Sequence, residues 1–166
     1  MLSSAWESIV HMHCGSVVSA ALRVLGCSAD AEDVAQEVFV EAFRKWNPYD
    51  DNNWRGLLCR MAVCRALDLL RTRRAEPGLN FSADVGQAID PSEMLIQQEV
   101  MQQLRKAVTQ LPQREAEVFC LVCFEQLDHE EVAATLKISR GAVATALSKA
   151  RTKLGTAFHV ISGDVK

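Results

Sequence analysis

The chain is 166 residues long, 49% hydrophobic, and carries a formal charge of −3. This length suits one ordinary domain or two small ones with packed cores, and the absence of any run of roughly eighteen apolar residues argues against a membrane-inserted helix. The opening stretch MLSSAWESIVHMHCG has neither a basic leader nor a long apolar core, so no secretory signal is expected and the expected compartment is the cytoplasm.

The charge is arranged in blocks. Asp30, Glu32, Asp33, Glu37 and Glu41 occur with no base among them. Arg55, Arg60, Arg65, Arg71, Arg73 and Arg74 follow against the single acid Asp68. Lys137, Arg140, Lys149, Arg151 and Lys153 then share a stretch that holds no acid. Such alternation points to different partners for different segments. A net negative chain is poorly suited to holding DNA unaided, because phosphate neutralisation supplies most of that affinity. The six cysteines are expected to be reduced in such a compartment. Cys120 and Cys123 form a CxxC, but it lies inside the apolar run VFCLVCF, and no second pair completes a zinc set. His11, His13 and Cys14 are read as ordinary side chains. No metal or cofactor is expected. No Ser/His/Asp arrangement, P-loop or glycine-rich nucleotide cradle is present, so no enzyme is expected.

In chain order, nearly every segment reads as helix. Residues 5–25 place Ile9, Val10, His13, Val17, Ala20, Ala21, Val24 and Leu25 at helical spacing, with Gly26 as the stop. A second helix starts with Ser28 or Asp30 as its cap. Val34, Val38, Phe39, Ala42 and Phe43 form its apolar stripe, opposite Asp33, Gln36, Glu37 and Glu41. Residues 47–53, NPYDDNN, make a turn-rich loop. A third helix runs from about Trp54 to Arg74. Residues 75–90 break the pattern with Pro77, Gly78 and Gly86 and read as a linker. Asp90, Pro91 and Glu93 then have the pattern of a capping box on a helix reaching about Thr109. Pro112 starts another helix, expected to run through about Glu125. The architecture expected is all-α: two small helical domains, 1–75 and 92–166, joined by a linker at 76–91, the second domain a helix-turn-helix.

Residues 128–155 carry the most specific pattern. Asp128 and Glu131 repeat the capping logic before a helix of about two turns. The turn KIS follows, and then a longer helix capped by Ser139. Ala133 is small where two helices cross, and Ile138, Val143, Leu147 and Leu154 face inward. This is the spacing of a helix-turn-helix, whose second helix enters a major groove. Residue 137 of such a turn is often Gly, because a left-handed backbone is common there; here it is Lys137. Ser139, Arg140, Ala142, Thr145, Ala146, Lys149 and Arg151 are the candidates to face DNA, with Lys149, Arg151 and Lys153 suited to phosphate.

Two separated stretches together resemble one family. ADAEDVAQEVFVEAFRKW, with WRGLLCRMAVCRALDLLRTRR, resembles region 2 of a bacterial sigma factor. LPQREAEVFCLVCFEQLDHEEVAATLKISRGAVATALSKARTKL resembles region 4. The two regions with only a short linker between them resemble the extracytoplasmic-function (ECF) group, over about residues 5–155. The resemblance implies a transcription initiation factor with no catalysis of its own. Its partners would be core RNA polymerase, through the β′ coiled coil and the β subunit, and promoter DNA; an anti-sigma factor is common in the family.

It also implies roles for particular residues. Asp33, Gln36, Glu37 and Phe39 match the DxxQExF helix that docks on the polymerase, which accounts for an acidic helix in a DNA-related chain. Trp46, Tyr49, Asn52, Asn53, Trp54, Arg55, Arg65 and Arg71 match the part that opens and reads the −10 element, where an unpaired base needs a shaped pocket and stacking groups. The last long helix matches the −35 reader. Departures occur at Leu57 and Cys64, where the family often has Trp and Asn, and at Ala144 and Ala146, where it often has Lys and Arg. The −35 helix therefore has fewer phosphate grips than usual, and is expected to rely on polymerase to present it. The competing expectation is a stand-alone helix-turn-helix regulator that dimerises through residues 91–109, using Met94, Leu95, Met101, Leu104 and Val108.

Overall fold

The computed structural model describes residues 2–47, 53–75 and 91–162, with the side chains of 4–47, 53–73 and 97–156. Seven α-helices follow one another among these residues: α1 Leu2–Leu25, α2 Ser28–Arg44, α3 Trp54–Ala75, α4 Pro91–Thr109, α5 Gln113–Phe119, α6 His129–Leu136 and α7 Arg140–Ser162. A π-helical segment, Cys120–Phe124, continues α5. No strand occurs among the described residues, and the all-α expectation holds. Residues 76–90 of the linker expected at 76–91, including the expected helix cap Asp90, and residues 48–52 of the turn-rich loop lie outside the described residues.

Helices α1 to α3 pack because each carries one apolar stripe narrow enough to close a three-helix layer. Val17, Ala20, Ala21 and Val24 of α1 meet Val34, Ala35 and Val38 of α2 and Leu58, Ala62, Val63 and Leu67 of α3, all fully or nearly fully buried. The alanines let the backbones approach closely, and the β-branched and leucine side chains fill the space between them. Ser4–Leu25 is long and apolar enough to span a membrane by length and composition, with a mean hydropathy of 1.3. Its apolar face is nevertheless the core of this bundle.

Helix ends show the local chemistry. α1 stops at Gly26, whose φ of +72° suits a residue without a Cβ. α2 begins one residue earlier than a cap at Ser28 would place it: Cys27 is the extended cap residue, and no side chain caps the helix. Asp30, the other expected cap, instead accepts from Arg73 of α3, with one bond at 2.9 Å. This lowers the carboxyl pKa against the opposing effect of burial. The single helix expected from Pro112 to Glu125 is divided. The α-helical bonding of α5 ends at Phe119, and the chain widens so that Glu125 N–H bonds the Cys120 carbonyl five residues back at 3.1 Å. Gln126, at φ 55°, then turns the chain.

The second half is built on α7. Val143, Leu147, Ala150 and Leu154 are buried against Val118, Leu121, Val132 and Leu136. Leu104 and Val108 of α4 also enter this core. The two halves lie against each other, and their apolar residues form one continuous cluster.

Candidate nucleic-acid interface

The helix-turn-helix is formed by α6 and α7. Asp128 and Glu131 make the expected capping box: Glu131 N–H donates to Asp128 Oδ1 at 2.8 Å, and Asp128 N–H donates to Glu131 Oε2 at 3.1 Å. Lys137 takes the left-handed conformation, φ 56° and ψ 46°, that glycine would adopt without strain. Ile138 N–H reaches back to the Ala133 carbonyl at 3.0 Å, closing the end of α6. Ser139 caps α7, its Oγ accepting from Ala142 N–H at 3.0 Å. The turn is thus fixed on both sides by hydrogen bonds, and it points one face of α7 outward. Ser139, Arg140, Ala142, Thr145, Lys149 and Arg151 are all exposed on α7.

Two expected DNA-facing residues lie elsewhere. Ala146 is 8% exposed and belongs to the core beside Leu147, because its position falls on the inward stripe of α7. Lys153 is turned to Glu115 of α5, with Nζ at 2.8 Å from Oε2. The lysine thereby neutralises a buried carboxylate and is not a free phosphate grip.

The acidic helix α2 presents Asp33, Gln36 and Glu37 to solvent. Phe39 turns inward, its ring 6.4 Å from that of Trp6. Val40 and Phe43, 51% and 52% exposed, supply the apolar surface on this side instead. Val40 lines a shallow groove with Asp33, Gln36, Glu37, Glu41, Arg44, Lys45 and Arg65. The sequence reading missed Val40; the apolar residue beside Glu37 was its only signal.

The loop between α2 and α3 is flanked by an aromatic cluster. Trp6 is its hub, with ring centroids 5.4 Å from Phe43, 5.7 Å from Trp46 and 5.9 Å from Trp54. Trp46 and Trp54 are half-buried, so both pack and both keep an open edge. Asn53 caps α3, its Oδ1 accepting from Gly56 N–H at 3.3 Å. Tyr49 and Asn52 lie outside the described residues. Trp6, on a different helix, was invisible to motif reading.

Three arginines of α3, Arg55, Arg65 and Arg71, already have partners. Arg65 bridges Glu37, at 2.9 Å, and Glu41 on the acidic helix. Arg55 Nη2 donates to the Glu125 carbonyl at 3.3 Å. Arg71 Nε donates to the Thr109 carbonyl at 3.2 Å, Nη2 to the Leu111 carbonyl at 3.3 Å, and Nη1 to Gln113. The i,i+3 pair with Asp68 is longer, at 3.9 Å. From α1, Arg23 donates to the Phe124 carbonyl and reaches Glu125 Oε1 at 3.3 Å. From α4, Arg105 Nε returns a bond to the Arg23 carbonyl at 3.0 Å, beside Gly26, where a Cβ would lie 2.7 Å from the guanidinium. The Cys64 thiol donates to the buried Glu117 Oε1 at 2.9 Å; burial and that carboxylate push its pKa up to about 12. Burial raises the pKa of Glu125 against the opposing pull of Arg23 and Arg55.

Among the described residues the chain is helical, with a helix-turn-helix that offers a basic outer face and a helical layer that offers an acidic one, an arrangement that fits a DNA-binding protein with a protein-binding side. The comparisons with known proteins carry this further. Residues 9–76 match the family described as Sigma-70 region 2, and residues 101–154 match Sigma-70, region 4. The chain is 31% identical over 155 residues to the ECF RNA polymerase sigma factor SigE of Mycolicibacterium smegmatis, covering 90% of this chain and 60% of that one. It is 24% identical to the ECF RNA polymerase sigma factor SigW of Bacillus subtilis, covering 90% of this chain and 87% of that one. Its fold matches CnrH, solved in complex with the cytosolic domain of CnrY, with a TM-score of 0.64 at 24% identity, covering 95% and 90% of the two chains. It also matches RpoE of Bartonella quintana, solved with the anti-sigma factor NepR, with a TM-score of 0.60 at 17% identity, covering 94% and 98%. The chain belongs to the extracytoplasmic-function group of sigma-70 factors. The dimeric regulator is not favoured: Leu104 and Val108, two of the residues its interface would need, pack into the chain's own core.

Proposed function

We propose that this chain is a promoter-specificity subunit for bacterial core RNA polymerase, working in the cytoplasm and performing no catalysis itself. The observation that carries this reading is the pair of separate outward faces: acidic and apolar on α2, basic on α7. Asp33, Gln36 and Glu37, with Val40 and Phe43, dock α2 on the polymerase β′ coiled coil. Residues 92–166 lie against the β subunit and present α7 to the −35 duplex, where Arg140 reads a base edge or grips phosphate and Lys149 and Arg151 hold the backbone. Residues 1–75 trap the melted −10 strand: Trp46 and Trp54 offer stacking edges beside the loop that holds Tyr49, Asn52 and Asn53, and Arg55, Arg65 and Arg71 follow the phosphates. The segment 76–91 sets reach and not sequence. An anti-sigma factor is the fitting negative regulator, as the solved relative RpoE is bound by one.

Initiation on genomic fragments tests this. Core polymerase, the chain and sheared DNA from the source bacterium are incubated with nucleotides, and RNA 5′ ends are mapped. The expected result is a small set of defined starts that depends on the chain and weakens with Lys149→Ala and Arg151→Ala. Starts spread uniformly, as with polymerase alone, would sink the reading.

A further inference from the structure

The chain has three tryptophans, and all of them, Trp6, Trp46 and Trp54, share one aromatic cluster. Trp46 follows the C-terminal end of α2, and Trp54 opens α3. They are the two posts of the loop at 47–53. Each post is fixed to its own helix by backbone bonds. Trp46 N–H donates to the Phe43 carbonyl at 3.1 Å, and the Asn53 side chain caps the first turn of α3 through Gly56 N–H. These bonds set where each post stands on its helix, but they do not tie one indole ring to the other.

Trp6 supplies that tie. Its ring lies 5.7 Å from Trp46 and 5.9 Å from Trp54, so one side chain of α1 packs on both posts. The contact with Trp54 is edge-to-face, at 78°, and the contact with Trp46 is tilted, at 50°, geometries that ring quadrupoles favour. Trp6 stands one helical turn before Ile9, on the stripe that continues through Val17, Ala20 and Val24 into the core. The tie is therefore held by a helix that belongs to neither end of the loop. From α2, Phe39 and Phe43 lie against the same indole, at 6.4 Å and 5.4 Å. Phe39 thus turns inward to brace Trp6.

An unpaired base is held by stacking groups, and a group that swings freely must be ordered at the moment of capture. We propose that Trp6 is a positioning residue for the −10 strand: it holds Trp46 and Trp54 at the spacing at which they receive an unpaired base, without contacting DNA itself. The proposal rests on the assignment of that loop to the −10 strand.

Two substitutions separate the ring from its bulk. Trp6→Leu keeps an apolar side chain with good helix propensity and removes the aromatic contacts; Trp6→Phe keeps a ring. Each chain is assembled with bacterial core RNA polymerase on fragments that carry the starts mapped for the parent. Permanganate reactivity of unpaired thymines reports strand opening, and titration of the chain against polymerase separates docking from opening. Circular dichroism checks that each variant is folded. With the chain in saturating excess, Trp6→Leu is expected to open about tenfold less promoter, the loss expected when two ring contacts that hold the posts are removed. Trp6→Phe is expected to recover most of the opening. In a chain that already carries Trp46→Leu and Trp54→Leu, Trp6→Leu is expected to add little, because it acts through those two rings. Full opening by Trp6→Leu at saturation, with or without weaker docking, would overturn the proposal, and so would a loss as deep in folded Trp6→Phe or a fully additive loss in the triple variant. A parent holoenzyme that opens no start counts against the promoter-specificity reading itself, whereas a parent and a Trp6→Leu chain that open starts equally well count against Trp6 alone.

Discussion

Glu41 illustrates what a single residue contributes. Its carboxylate lies 2.9 Å from Lys45 Nζ and also accepts from Arg65. The Lys45 bond and then the Arg65 bond hold its pKa down at about 2, against 4.5 for the ordinary group. A depressed pKa means that folding favours the ionised form. The stabilisation is therefore fully present above pH 4.5 and disappears as pH falls towards about 2. The pair is partly exposed, so the effect is modest and weakens with salt. In urea unfolding, Glu41→Gln should be less stable than the parent at neutral pH, and the two should converge at the acid end of that window. A difference that did not change with pH would contradict the assignment. The sequence displayed the charges of this network but not their pairing. Arg65 was legible as a DNA-type cation, whereas its position between Glu37 and Glu41 depends on how α2 and α3 cross, which no local pattern encodes.

At the scale of elements, the helices were readable because their signals are local. Apolar spacing placed α1, α2 and α3, and the capping residues Asp128, Glu131 and Ser139 fixed both ends of the turn. Lys137 is the informative case. Its side chain argued mildly against a helix-turn-helix, yet the backbone there is left-handed as that motif requires. A non-glycine residue in this conformation costs about 1–2 kcal/mol. Lys137→Gly relieves it but adds freedom to the unfolded chain, so a net gain of roughly 0.5–1 kcal/mol is expected. Thermal or urea unfolding reads this directly; unchanged or reduced stability would show that the turn carries no such strain. The widened π segment was not readable. VFCLVCF looks like uninterrupted helix, and the departure from α-helical bonding depends on the packing of this segment against α1 and α3. Ala146 was misplaced for a related reason: it is small enough for either face, and only the buried stripe of α7 decides between them.

For the whole molecule, the sequence showed two helical halves of opposite outer character. It did not show how they sit together. The contacts that join them, Arg23 with Glu125, Arg71 with Thr109 and Leu111, and Cys64 with Glu117, span long stretches of chain and follow no spacing rule. Arg71, and Arg55 with the Glu125 carbonyl, are residues whose motif assigns them to another partner, so the motif itself concealed the second role. The acidic face of α2 remains open in this arrangement, and docking on polymerase therefore needs no prior opening. That face is the most direct point of attack on the account. The purified chain and bacterial core RNA polymerase should be mixed and resolved by size-exclusion chromatography, with Glu37→Lys in parallel. Co-elution of the parent, lost in a folded Glu37→Lys variant, is the predicted result. A parent chain that elutes apart from the polymerase, alone or as its own dimer, would contradict it.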